Sequence, residues 1–251
     1  MTTDTVAAYD RLGPVFAKLA EQRRLYIDRV DELVISGISA ESRSMLDVGA
    51  GDGTRSRKIA TSTGISELVL VEPSVGMQGA GLDKAVNDVT AGATVTNRTM
   101  RAEGLHQLEG SFDVITCLWN VFGHVSSRTG RAEVLRQFTR LLSPRGRVFI
   151  DLSHRYNARH YGFFPTAARF LYDLLPGGEN NGDVVVAWNV EGTRCTTAGH
   201  VFTDKEVRSL CRAAGLEIEK TFSIDYSTGQ LRRWNFEGHL LYILRAAGGC
   251  D

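Results

Sequence analysis

The stretch Ser44-Met45-Leu46-Asp47-Val48-Gly49-Ala50-Gly51-Asp52-Gly53 constrains this chain more than any other. A short apolar run passes directly into a turn with glycine at every second position, and Thr54 to Ala60 then suits a helix. This reads as a strand, a tight turn and a helix. At such a turn the missing side chains let backbone approach a ligand, and the helix N–H groups face a negative charge.

The same alternation recurs downstream. Glu67 to Glu72 is a second apolar run closed by an acid, and Pro73-Ser74 opens a helix containing Met77. Further runs lie at Ala93 to Thr96, Phe112 to Leu118 and Gly146 to Leu152, with a helical stretch from Arg131 to Leu142 between the last two. Strands this uniformly apolar have no wet face, so they predict a mainly parallel sheet covered by helices on both sides. Val6 to Ile35 reads as one or two amphipathic helices.

After Leu152 the pattern breaks. Ser153 to Gly182 is rich in aromatic and basic residues, and Asp183 to Phe202 reads as a hairpin turning near Glu191-Gly192, so 153–202 is taken as an insertion. Thr203 and Glu206 form a capping box for a helix ending at Gly215. Strands at Leu216 to Ile224 and His239 to Ala246 have no helix between them and are expected to be antiparallel. The expected fold is therefore α/β and Rossmann-like: a doubly wound, mainly parallel sheet with an antiparallel last strand, N-terminal helices and an inserted lid. Residues 1–152 and 203–251 would form one domain.

Charge and cysteines narrow the partners. Lys+Arg and Asp+Glu balance at 29 each, which removes a whole-chain pull toward nucleic acid. Cys117, Cys195, Cys211 and Cys250 are scattered, without the spacing of a zinc site, and read as reduced thiols; no metal is expected. Met1 to Tyr9 lacks the apolar core of a signal peptide, and no apolar run approaches the roughly 18 residues of a membrane span. Cytoplasmic residence without a membrane partner is the resulting expectation.

The glycine turn also serves tight packing in some proteins, so its spacing matters. A dinucleotide fingerprint would place Gly or Ala three residues after Gly51, where Thr54 stands, and no Gly-Lys-Ser/Thr of a phosphate-binding loop follows. Glu72 ends the second strand about 20 residues on, where a carboxylate can accept both hydroxyls of a ribose.

Leu46 to Gly53, Val69 to Ser74 with Met77, Phe112-Asp113-Val114-Ile115 and Leu141 to Arg147 together resemble the class I S-adenosylmethionine-dependent methyltransferases. The resemblance covers roughly Ser44 to Leu152. It implies S-adenosyl-L-methionine as cofactor, with Asp47 near its amino and sulfonium end and Gly49, Ala50, Gly51 and Gly53 against its methionine part. It further implies Glu72 and Pro73 at the ribose, Met77 on the adenine, and Leu118 at the end of the fourth strand. Many members carry an acid for the adenine amino group where Arg101 aligns, and arginine cannot accept a hydrogen bond. Backbone of Ala102 and Glu103 would hold the adenine instead, unless the alignment shifts by a residue or two.

In-line methyl transfer needs neither a metal nor a covalent nucleophile, only positioning and exclusion of water. Asn120 and His124 resemble the Asn-x-x-x-His segment of small-molecule N-methyltransferases such as the glycine type, which makes them the catalytic candidates. His124 would orient or deprotonate the acceptor, and a packing role for it stays open. Tyr9 resembles a residue that closes over the cofactor in some relatives. The insertion offers His154, Arg155, Tyr156 and Arg159, beside Asn157, His160, Tyr161 and Arg169, as an acceptor pocket or lid, with Arg155 and Arg159 suited to a carboxylate. Arg232 and Trp234 could stack a flat ligand. The expectation is methyl transfer to N or O of a small-molecule acceptor, with no nucleic acid partner and a homodimer left open. Two alternatives remain. One is a tRNA or RNA base methyltransferase using Arg128, Arg131, Arg136 and Arg140; the other is a cofactor-binding protein of this fold that does not transfer methyl.

Overall fold

A computed structural model describes residues 4–85, 93–175, 181–190 and 192–248. Cys250, Met1 and Glu191, named above, lie outside the described residues. Ten strands occur in chain order: β1 Ser44–Val48, β2 Glu67–Val71, β3 Thr94–Arg98, β4 Phe112–Cys117, β5 Leu142–Leu152, β6 Asp183–Val190, β7 Thr193–His200, β8 Leu216–Ile224, β9 Leu231–Arg232 and β10 His239–Ala246. Eight of them form one sheet in the order β3-β2-β1-β4-β5-β10-β8-β9. β1 to β5 pair in parallel, whereas β10 runs antiparallel between β5 and β8. The expected antiparallel last strand is thus an internal one.

Side chains alternate strictly across this sheet. Leu46, Val69, Ile115, Ile150 and Tyr242 enter one core with Val134 and Phe138 of α6 (Arg128–Leu141) and Leu210 of α9 (Asp204–Ala213). Met45, Leu68, Val114, Phe149 and Leu241 enter the other, with Val30 and Val34 of α3 (Arg24–Gly37) and Ile59 of α4 (Thr54–Thr63). Two buried faces explain why the strands carry no polar alternation.

The N-terminal segment forms three helices rather than one or two: α1 Thr5–Leu12, α2 Phe16–Gln22, and α3. Gly13-Pro14 causes the first break, since proline lacks the N–H a continuing helix needs and starts a 3₁₀ turn instead. Asp10 anchors α1 on the start of α5 (Val75–Ala85), its carboxylate accepting from Ser74 Oγ at 2.7 Å and Gly76 N at 3.0 Å.

Between β5 and α9 the chain forms α7 (Ala158–Tyr161), α8 (Phe163–Asp173) and the hairpin β6–β7, which makes a separate two-stranded sheet. An isolated bridge between His154 and Phe202 closes the base of this segment. β7 packs on α1 through Cys195 and Ala8, so the hairpin and the N-terminal helices form a continuous cover over the carboxyl edge of the sheet. No described helix is long and apolar enough to cross a membrane.

Candidate active site

Under this cover lies a cavity of about 780 Å³, well within the range of small-molecule sites. Its floor is the turn after β1. Gly49 has φ +77°, and a Cβ there would sit 2.3 Å from the Val121 side chain, so glycine is required by both conformation and space. Gly49 N and Ala50 N donate to Val71 O at 2.7 and 3.1 Å, which ties the turn to the end of β2.

Glu72 completes that tie. Its carboxylate accepts from Gly51 N at 2.9 Å and Ser74 N at 2.8 Å, and burial still lifts its pKa above the ordinary glutamate value. Two of its four lone-pair positions remain for a ligand. Asp47 accepts from Thr116 Oγ1 at 2.6 Å and from the Ser56 hydroxyl; burial raises its pKa as well. The backbone of the glycine turn and Glu72 together line one end of the cavity.

Tyr9 and His124 face each other across the cavity wall. His124 Nδ1 lies 2.7 Å from Ala198 O, and a carbonyl can only accept, so Nδ1 carries the proton. Nε2 therefore accepts from the Tyr9 hydroxyl at 3.0 Å. Burial, only partly offset by the Ala198 carbonyl, lowers the His124 pKa and keeps the ring neutral. A neutral imidazole with its tautomer fixed can take a proton.

Of the sequence-predicted residues, Tyr9, Asp47, Gly49, Ala50, Gly51, Glu72, Pro73, Met77, Ala102, Glu103, Leu118, Asn120 and His124 all line this cavity. Gly53 does not; it caps α4 and faces Leu70. Asn120 lines the cavity, but its amide is a strut. Its Oδ1 accepts from Ser153 N at 2.9 Å and its Nδ2 reaches His200 O at 3.4 Å, joining the end of β5 to the hairpin.

Six acceptor candidates lie outside the cavity lining. Arg155 forms a two-pronged pair with Asp173, which Tyr156 also contacts at 2.7 Å. Arg159 and Arg232 both bind Asp225, at 2.9 Å each. His154 is buried, its pKa pushed down to about 4 by burial, and Trp234 is 53% exposed against Phe236. Each of those arginines is ion-paired within the protein, although Arg232 Nε stays buried without a partner. Of the helix arginines, Arg131 is buried and donates to Val125 O, whereas Arg136 and Arg140 are exposed, Arg136 pairing with Glu133 and Arg140 donating to Leu105 O and Leu108 O.

Sequence reasoning missed Tyr26, Asp31, Arg55, Asp151, Tyr226 and His239, which also line the cavity. Asp151 closes the apolar run of β5 just as Glu72 closes the run before it, so that one had a readable signal. It accepts from the Tyr26 hydroxyl and from Trp119 N at 3.0 Å. Trp119 and Asn120 both have positive φ, near +59°, a strained pair held between these contacts.

The methyltransferase domain family model matches residues 19–221. The chain belongs to that family. Its fold matches the methyltransferase CcbJ from Streptomyces caelestis with a TM-score of 0.65, at 16% identity, over 88% of this chain and 89% of that one. Magnesium protoporphyrin IX methyltransferase from Synechocystis, solved with S-adenosylmethionine bound, gives 0.56 at 15% identity over 92% and 82%. A putative methyltransferase of Haloferax volcanii, solved with its Trm112 activator, gives 0.66 at 14% identity over 99% and 100%. No curated protein sequence matches the chain. This methyltransferase thus has the class I fold its motifs resemble, and S-adenosylmethionine is the donor that class uses.

Proposed function

We propose that this methyltransferase transfers the methyl group of S-adenosylmethionine to a nitrogen or oxygen of a small-molecule acceptor. One observation carries the reading: one cavity joins the glycine turn and Glu72 to the neutral imidazole of His124. Asp47, Gly49 to Gly51, Glu72 and Met77 would hold the cofactor, with backbone at Ala102 and Glu103 near its base. Bound there, it supplies an electrophilic methyl on a sulfonium sulfur.

The chain's own residues supply positioning and proton handling. An acceptor N–H or O–H must lose a proton as its lone pair is committed to the new bond. The Tyr9 hydroxyl can receive that proton while passing its own to His124 Nε2, a two-step relay without net charge on Tyr9. The hairpin and α1 exclude water from the reacting groups, which strengthens every dipole aimed at them. The inserted segment 153–202 acts as the lid in this reading, though through β6–β7 and α8 rather than through Arg155 or Arg159. A cavity of about 780 Å³ has the size of a small-molecule site.

Calorimetric titration with S-adenosylhomocysteine tests the reading directly. Binding to the wild-type chain, abolished or strongly weakened in Gly49→Val, is expected; no binding to the wild type would overturn it.

A further inference from the structure

Beyond Asp47 the cavity continues over the ends of β5 and β8 and the start of β10. There it opens into a chamber walled by Tyr26, Trp119, Tyr226, His239, His160 and Arg169. The rings meet edge to face: Tyr226 lies 4.6 Å from His239, 4.9 Å from Tyr26 and 5.2 Å from His160. Both imidazoles are neutral. Burial drives His239 down to about 3, aided by neighbouring His160, His154 and Arg23, and burial with Arg23 and Arg169 lowers His160.

The charges around this chamber are unequally satisfied. Every carboxylate is engaged: Asp31 by Arg55 and Lys58, Asp151 by Tyr26 and Trp119 N, and Asp225 by Arg159 and Arg232. Two nearby guanidiniums are not: Arg169 in the lining and Arg23 just outside it. Among the described residues neither Arg23 nor Arg169 forms an ion pair; each lies over a tyrosine ring instead, Arg23 at 4.8 Å from Tyr226 and Arg169 at 4.3 Å from Tyr161. Arg169 adds one 3.5 Å contact to Arg155 O. Arg55, ion-paired with Asp31 through Nε, keeps Nη2 buried with no partner.

An ammonium entering here would find no free carboxylate, and the rings of Tyr226 and Tyr161 already carry cations. A flat ring bearing an oxyanion finds edge-on aromatic walls and, in the lining, the Arg169 guanidinium without an ion pair, whose planar fork matches a carboxylate. We propose that this chamber is the acceptor's seat and that the acceptor is a planar aromatic acid, its ring among Tyr26, Tyr226 and His239 and its carboxylate toward Arg169. This rests on the methyltransferase reading above.

The test is calorimetry with benzoate, its neutral isostere benzamide, and benzylamine, titrated into the protein both saturated with S-adenosylhomocysteine and free of it. Benzoate should bind at least about tenfold more tightly than either competitor, with a preference that weakens as salt is raised. Arg169→Gln should reduce benzoate toward the benzamide level while S-adenosylhomocysteine binds as before, and Arg169→Lys should restore part of the preference. The proposal is overturned if benzamide or benzylamine equals benzoate, if Arg169→Gln leaves benzoate binding unchanged, or if no probe binds. Failure to bind S-adenosylhomocysteine would count against the methyltransferase reading instead, and the titrations without it would still judge the chamber.

Discussion

The Tyr9 hydroxyl donates to His124 Nε2 across 3.0 Å, joining the first helix of the chain to the turn after the fourth strand. Neither residue has a free choice of partner, because Ala198 O holds the opposite face of the imidazole. If this pair moves the acceptor's proton, His124→Gln should lower kcat by about 10²-fold or more, the usual loss on removing a general base. Affinity for S-adenosylhomocysteine should change by no more than about threefold, which separates the chemical step from cofactor binding. Steady-state kinetics paired with calorimetry gives both numbers.

A pH profile follows from the same pair. Burial lowers the His124 pKa, so the neutral, proton-accepting form persists to lower pH than in free imidazole. The acid limb of kcat/KM should therefore fall below the free-imidazole value of about 6.5. A limb at or above that value would mean His124 is not the base.

Glu72 offers a test of the cofactor cleft. Its carboxylate receives Gly51 N and Ser74 N, so Glu72→Ala leaves two backbone donors without a partner and removes the acid beside the ribose position. Hydrogen bonds to a charged group are worth about 1.5–3 kcal/mol each, which predicts at least a tenfold loss of S-adenosylhomocysteine affinity together with a lower Tm. Glu72→Gln, which keeps one acceptor oxygen, should fall between.

The docking of α1 depends on a glycine contact. A Cβ at Gly76 would stand 2.5 Å from Asp10 O, a backbone atom that cannot rotate away. Gly76→Ala should push α1 off α5 and displace Tyr9 from His124. Faster proteolysis within residues 4–22 and a reduced kcat are expected, while the sheet keeps its thermal transition.

Asp225 should contribute to stability in a pH-dependent way. Burial opposes its ionisation, but Arg232 and the Ser227 and Thr228 N–H groups prevail and bring its pKa down to about 2. A carboxyl depressed from about 3.9 stabilises the folded state above that value, by about 2 kcal/mol, and loses the contribution as pH falls toward 2. Urea unfolding of Asp225→Asn should show a deficit of that size at pH 7, narrowing below pH 4.

The layout of the fold could be read from the chain because its strands are buried on both faces and its helices begin at recognisable caps. Thr203 with Glu206 and the glycine turn after Val48 are local signals, complete within a few residues. The floor of the cavity was legible for the same reason: Asp47, Gly49, Gly51 and Glu72 sit at strand ends whose position the pattern fixes. The acceptor side was not. Arg155 and Arg159 have the composition of a ligand site, yet Asp173 and Asp225, 18 and 66 residues further along, neutralise them. Tyr26, Tyr226 and His239 meet only because three distant elements converge on one sheet edge, and no local periodicity encodes that meeting.

The partner that fixes the His124 tautomer is a main-chain oxygen of β7. Side-chain partners of catalytic histidines can be lost to a single base change, but a carbonyl is present whatever residue stands at position 198. Drift at that position can therefore alter the hairpin's surface without unsetting the base. Losing the tautomer requires moving the strand itself, so the ring's protonation pattern is set by the course of the backbone and not by the side chain at position 198.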